Sequence, residues 1–419
     1  MSNRSRWIIA CIALAALVAL AGATISFALP TSRPVPQPLI AGPDIAHPDT
    51  AWDGLFQGYG NLSGAWSGGD GAQSLPLPDG STMWFFADTF FGQTYPGGSR
   101  SQLTSGGGHN SAVLYRNGHL GPTYSFPPGP FGFQNMADYT WVAPPPPYDS
   151  SQFEVLNGDQ VIDDGTVYKF FQLADKSIHP GGFSYKLVGT VVETFSLNPA
   201  TDTLTPAGGT PLGVEDTAHS DPIIWGEATL VSDGYIYIYG VRPYNGNADP
   251  FPLYLARVPV SGLPAGAPWQ YYHGTPSCSP PSSAWVSSPR QATALQTGVS
   301  AGFSVTDVNG TDVLLTTDGS SPGTRQNAVA YYADCPTGFS PGSPRYPVYE
   351  PHLPHSYLAY EYRIVPQFSS GSEVLVSYNI DTTRLGLNFS NVSIYRPRFL
   401  DVKLPGIPGP SGHVIDPPP

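Results

Sequence analysis

Five times along this chain a short segment runs into an X-Gly pair and out again into a strongly β-forming one: Asp79-Gly80, Asp164-Gly165, Asp233-Gly234, Asn309-Gly310 and Ser370-Gly371. Asp-Gly and Asn-Gly are the preferred centres of type I′ hairpins, because both central residues take positive φ there. The outgoing segments 83–87, 167–171, 235–239, 313–316 and 374–378 are largely β-branched or aromatic. The run Tyr-Ile-Tyr-Ile-Tyr at 235–239 is apolar on both faces, so its sheet needs cover on both sides. A further strand candidate follows each hairpin, at 111–115, 190–196, 253–258, 328–333 and 392–399. Such three- to four-stranded repeats are the blades of a β-propeller. A β-sandwich can carry the same hairpins, but five recurrences of one turn at similar spacing favour a ring. The expectation is an all-β fold, a single-domain five-bladed β-propeller over 51–404, with a Pro/Gly-rich tail at 405–419. Residues 52–63 are expected to close the ring by adding a strand to the last blade.

With 47 Gly, 47 Pro and only 12% charged residues, the chain suits a loop-rich β protein better than a helical bundle or a disordered acidic polymer. Eighteen Lys plus Arg against 31 Asp plus Glu leave a net charge of -13, with no electrostatic footprint for a phosphate backbone. Nucleic acid is not expected as a partner. At the N-terminus Arg4 and Arg6 precede a low-polarity run over 7–29, followed by a Pro-rich linker over 31–50. Residues 1–30 read as a signal peptide or signal anchor, since about 20 apolar residues suffice to span a bilayer. The rest is then expected outside the cytoplasm, secreted or tethered through 7–29, touching membrane only there. Cys11 lies in that run, leaving Cys278 and Cys335 as the pair in the folded part, which an oxidising compartment would allow to bridge. No Cys/His spacing suggests zinc.

In a propeller the innermost strand of each blade lines the axis, so a residue at its entry sits at the channel mouth. Reading back from each turn gives Asp70 in Gly-Gly-Asp-Gly, Asp159 in Asn-Gly-Asp, Glu227 in Trp-Gly-Glu, Ser304 in Gly-Phe-Ser, and Glu361 with Arg363 in Tyr-Glu-Tyr-Arg. A two-residue turn at Asp79-Gly80 makes cross-strand partners sum to 159, so Asp70 is expected opposite Thr89 and diagonal to Asp88; Pro76 and Pro78 allow a bulge. Close carboxylates push one pKa up, so that one acid donates a proton while another stays charged, the division of labour glycoside hydrolysis needs. Each residue also has a structural reading. Asp79, Asp164 and Asp233 are set aside as turn formers, Asp70 could form an Asx-turn, Asp88 could cap a strand end, and Glu361 beside Arg363 could be an ion pair. His109, Asn110, His352 and His355 are candidate substrate contacts or plain loop residues. Trp66, Trp141 and Trp225 could stack on sugar or pack between blades. The long insertions 127–148 and 277–290 are taken as rims of a groove.

The stretch 66–92, Trp-Ser-Gly-Gly-Asp-Gly through Leu-Pro-Asp-Gly to Trp-Phe-Phe-Ala-Asp-Thr-Phe-Phe-Gly, joins His-Asn-Ser-Ala at 109–112 and Trp-Gly-Glu-Ala at 225–228. Together they resemble secreted bacterial proteins of a formerly uncharacterised domain group related to the endo-D-arabinanases that cut mycobacterial-type arabinan, and more distantly the five-bladed arabinanase and xylosidase hydrolases. The likeness spans 52–402. It implies a five-bladed propeller and a catalytic pair on Asp70 and Asp88; the distant relatives' scheme would instead use Asp70, Asp159 and Glu227. The leading expectation is an extracytoplasmic glycoside hydrolase acting on a polysaccharide or cell-wall glycan such as arabinan, with Asp70 as base or nucleophile, Asp88 or Glu227 as acid and Asp159 as tuner. The alternatives are a non-catalytic glycan- or protein-binding propeller and a calcium-dependent hydrolase of phosphate esters or lactones. No cofactor is expected beyond a structural calcium in the channel, and the chain is expected to be a monomer.

Overall fold

The computed structural model describes residues 45–418 apart from 63–64, 102–105, 126–139, 180–184, 213–220, 244–249, 264–267, 320–325 and 408–411. The N-terminal run 7–29, most of the linker and the first part of the insertion at 127–148 therefore lie outside the described residues.

The chain is all-β, and among the described residues its main sheets are five antiparallel ones of four or more strands, each running outward in chain order. The first comprises Gln73–Pro76, Thr82–Phe86, Ser111–Arg116 and His119–Tyr124; the second Phe153–Asp163, Thr166–Asp175, Lys186–Asn198 and Thr203–Leu212. The third begins with Ile224–Ser232, Tyr235–Val241 and Phe251–Pro259, and the fourth with Ser304–Val308, Thr311–Thr317 and Ala328–Ala333. The fifth holds Tyr357–Ser370, Glu373–Thr382 and Pro397–Lys403. First strands adjoin in cyclic order, with Tyr357–Ser370 lying against both Ser304–Val308 and Gln73–Pro76.

Apolar clusters fill the space between successive sheets, and the strands are shared between them by alternation. Phe171 packs toward the first sheet with Leu75 and Phe85, while Phe170 packs toward the third with Ile236 and Ile238. Tyr237 and Tyr239 face the fourth sheet, with Val305 and Leu314. The doubly apolar Tyr-Ile-Tyr-Ile-Tyr strand is thus covered on both sides, as its period-2 pattern requires.

Three of the five expected turns are two-residue loops with both residues at positive φ: Asp164 and Gly165 (44° and 74°), Asp233 and Gly234 (48° and 76°), Asn309 and Gly310 (52° and 80°). The fifth is displaced by one residue: Ser370 pairs with Glu373 around Gly371 and Ser372, with positive φ only at the glycine. That suits glycine at the first centre of a type II′ turn. Residues 52–63 do not form the closing strand. Asp49 accepts from the backbone N–H of Ala51 and Trp52, capping a helix over Thr50–Gly60 whose Trp52 and Phe56, four residues apart, are buried between the first and fifth sheets. The strand added to the fifth sheet is Ala46–Pro48, paired with Pro397–Lys403. The strand expected at 392–399 begins at Pro397, after a short helix over Leu385–Ser390. Within the tail, Ile415 bonds back to Phe368 and accepts from the Trp52 indole. Cys278 and Cys335 are disulfide-bonded with Cα atoms 5.5 Å apart, linking the segment between the outer strands Gln270–Tyr272 and Trp285–Val286 of the third sheet to the fourth.

Candidate active site

Each first strand is interrupted near its start, and at four of the interruptions there is an acid. Asp70 and Gly71 (φ 64°) lie between Ala65–Gly69 and Gln73–Pro76. The pairing of the second sheet shifts between Asn157 and Gln160, around Asp159. In the third sheet Gly226 (φ 82°) and Glu227 are bulged, and in the fifth Glu361 (φ 55°) and Tyr362. The fourth sheet has Gly302 (φ 73°) just before Ser304. Bulges of this kind re-aim side chains. Glycine is required where space is short: a β-carbon on Gly226 would lie 2.3 Å from Phe170 Cγ. Glu361 takes the same left-handed conformation with a full side chain, at a cost of about 1–2 kcal/mol.

The first hairpin corrects the expected register. Leu77 donates to Ser81 and Gly80 to Leu77, so the loop has three residues, Pro78, Asp79 and Gly80. Pro78 sits where a type I turn favours proline and Gly80, at φ 87°, makes the αL step. Partners now sum to 158, as in Gln73 with Phe85 and Gly69 with Thr89. Asp70 therefore lies across from the Ala87–Asp88 step: its N–H donates to the Asp88 carbonyl at 3.2 Å, and its carbonyl accepts from Ala87 at 2.8 Å.

The carboxyls around this pair are crowded. Tyr360 donates to Asp70 Oδ2 at 2.9 Å, while Oδ1 is buried with no hydrogen-bond partner. Burial, then Glu361, then Asp88 push the Asp70 carboxyl well above its ordinary value, against the Tyr360 hydrogen bond. His109 lies between two acids, Nδ1 3.0 Å from Asp88 Oδ1 and Nε2 3.1 Å from Glu154 Oε2. Burial pulls its pKa down, but Glu154 and Asp88 outweigh this and leave it raised, which favours the imidazolium. Burial raises Glu154 in turn. Asp381 is pushed up to about 6, chiefly by burial, with Asp88 adding to the rise.

The other two acids of the distant relatives' scheme are committed elsewhere. Glu227, 1% exposed, accepts from Gln172 at 2.5 Å on Oε1 and from the Gly302 N–H at 3.2 Å on Oε2. Burial pushes it up to about 7. Asp159 Oδ2 accepts both the N–H and the hydroxyl of Thr229. Glu361 and Arg363 make no ion pair among the described residues. Glu361 Oε2 accepts from Asn379 at 3.2 Å, whereas Arg363 donates to the carbonyls of Glu227 and Phe303, joining the third, fourth and fifth sheets. Ser304 accepts from the Ile364 N–H, and Asn110 ties Val142 to Val155. Trp66 packs on Phe56, Tyr59 and Phe86, Trp225 on Tyr271, and Trp141 on Phe85, Tyr124 and Phe195. These tryptophans and Asn110 are therefore occupied in packing. His352 and His355 are exposed on the loop before Tyr357–Ser370.

A cavity of about 220 Å3 is lined by all five first strands, with Asp159, Thr229, Ser304 and Arg363 on its wall. Among the described residues no group of three His, Cys, Asp or Glu side chains is arranged to hold a metal ion. Sequence reasoning missed Glu154, Tyr360 and Asp381. One signal was present for Asp381: the second strands of four sheets carry an aspartate within two residues of their ends, Asp88, Asp175, Asp318 and Asp381, and Asp381-Thr382 repeats Asp88-Thr89.

Residues 53–404 match the family described as Domain of unknown function (DUF5005), and the chain belongs to that family. No curated protein matches it in sequence. Among solved structures it is similar to a candidate hydrolase from Bacteroides ovatus, with 19% identity, a TM-score of 0.60, and coverage of 85% of this chain and 90% of that one; the two share a fold. Weaker likenesses are to the α-L-arabinanase of Cellvibrio cellulosa (10% identity, TM-score 0.44, 80% and 91% covered) and an α-L-arabinofuranosidase from Clostridium thermocellum (12%, 0.43, 83% and 93%).

Proposed function

We propose that the five sheets are the blades of a five-bladed propeller and that the protein is an extracytoplasmic glycoside hydrolase acting, as a monomer, on a polysaccharide of arabinan type. The observation that carries this reading is the backbone pairing of Asp70 with the Ala87–Asp88 step, with Asp70 Oδ1 uncommitted and the imidazolium of His109 behind Asp88. Asp70, crowded and buried, is suited to hold a proton and give it to the leaving-group oxygen. Asp88 is then the carboxylate that attacks the anomeric carbon or activates water, with His109 and Glu154 fixing its orientation. This reverses the sequence-based role of Asp70 as base or nucleophile, because the crowding falls on Asp70. Both Glu227 oxygens already accept hydrogen bonds, which favours the Asp70–Asp88 scheme over one drawn from three blades. The export-type run at 7–29 supports action outside the cytoplasm.

The test is release of reducing ends from arabinan, arabinogalactan and xylan by wild type, Asp70→Asn and Asp88→Asn. Release by wild type alone is expected. Equal release by Asp70→Asn removes Asp70 from the mechanism, and glycan retention without release by any form favours the binding protein.

A further inference from the structure

Tyr360 and Glu361 are consecutive on the fifth first strand, where the pairing shifts between Tyr360 and Arg363. The Tyr360 hydroxyl bonds Asp70 Oδ2 at 2.9 Å. Glu361 carries a full side chain at φ 55°, where the corresponding breaks of the third and fourth sheets have Gly226 and Gly302. Its Oε2 is steadied by Asn379 and lies 3.4 Å from where a β-carbon on Gly71, the residue after Asp70, would sit. A strained backbone retained with a charged side chain marks a functional constraint. We propose that Tyr360 and Glu361 are the positioning residues of Asp70: Tyr360 holds the carboxyl through Oδ2 and leaves Oδ1 to the reacting group, and Glu361 sets its charge state from the adjoining strand. The inference rests on the hydrolase reading for its purpose, although the contacts themselves do not.

The groups facing Asp70 are Tyr360 and Glu361 from the first strand of the fifth sheet, Asp381 from its second strand, and Asp88 from the first sheet. Arg363 lowers Glu361, and Glu361 raises Glu227. The two proposed residues oppose each other. Losing the Glu361 charge lets Asp70 ionise more easily, whereas losing the Tyr360 hydrogen bond removes a stabiliser of the charged form. Titration of the full chain carrying 13C-carboxyl aspartate, with the Asp70 signal assigned by its loss in Asp70→Asn, reads this without any substrate. Glu361→Gln should lower the Asp70 midpoint by about one pH unit or more, and Tyr360→Phe should raise it. Glu361→Gly, which suits a left-handed backbone, must shift it the same way as Glu361→Gln. Where arabinan is cleaved, the alkaline limb of the kcat/KM profile should move with these midpoints. No shift, or shifts of one sign in all three variants, overturns the proposal. Opposed shifts in a protein that cleaves no glycan leave the clamp standing and overturn the hydrolase.

Discussion

The two ends of the axis carry similar residues in opposite circumstances. At the hairpin end Asp79, Asp164 and Asp233 stand in solvent, and the Asp79 carboxyl lies below its ordinary value because Ser81 donates to it and Arg116 is near. At the other end Asp70, Asp381, Glu227, Glu361 and Glu154 are withdrawn from water, and burial raises all five. Asp70 and Glu227 adjoin glycines in sequence just as Asp79, Asp164 and Asp233 do. Water satisfies the first set, whereas burial shifts the second toward the protonated form.

The comparison is most exposed to substitution at the crowded end. Asp70→Asn should lower glycan release by about 10³-fold or more with the melting temperature unchanged or higher, since a buried carboxyl is removed; Asp79→Asn should leave the rate as it was. Equal losses would erase the distinction.

The glycines provide the next test, because Gly226 and Gly165 have nearly the same φ, 82° and 74°. A β-carbon on Gly226 meets Phe170, while one on Gly165 meets nothing within 4 Å. Gly226→Ala should cost about 2–4 kcal/mol in chemical denaturation, and Gly165→Ala about 1 kcal/mol from backbone strain alone. Similar costs would mean that the acid end is no more tightly packed.

The smallest effect concerns pH. Glu227 keeps its proton up to about 7 in the folded chain, whereas its ordinary value is 4.5. Its contribution to stability is therefore complete below about 4.5 and is lost as pH rises through about 7. Asp381, pushed up to about 6 by burial, acts in the same sense. The melting temperature should fall by a few degrees between about pH 5 and 8, and Glu227→Gln should flatten that fall. A profile flat in wild type would show that these carboxyls are wetter than their packing implies.

Much of the fold was legible because a hairpin is local. An Asp-Gly or Asn-Gly pair selects its turn without reference to the rest of the chain, and the period-2 pattern of Tyr235–Val241 states how many faces must be covered. The misreadings came where one residue changes the outcome. Pro78 lengthened the first loop from two residues to three and set Asp70 across from the Ala87–Asp88 step. Asp49 capped a helix where 52–63 had looked like strand.

Local turn chemistry and alternation thus determined, from the sequence alone, that the chain would form antiparallel sheets with acids near the starts of their first strands. The tertiary structure decided which of those acids share a space, because proximity between Asp70 and Glu361, 291 positions apart, arises only when the fifth sheet comes to rest against the first. It also decided which acids are charged, since a carboxyl's proton depends on the water and neighbours that packing removes or supplies.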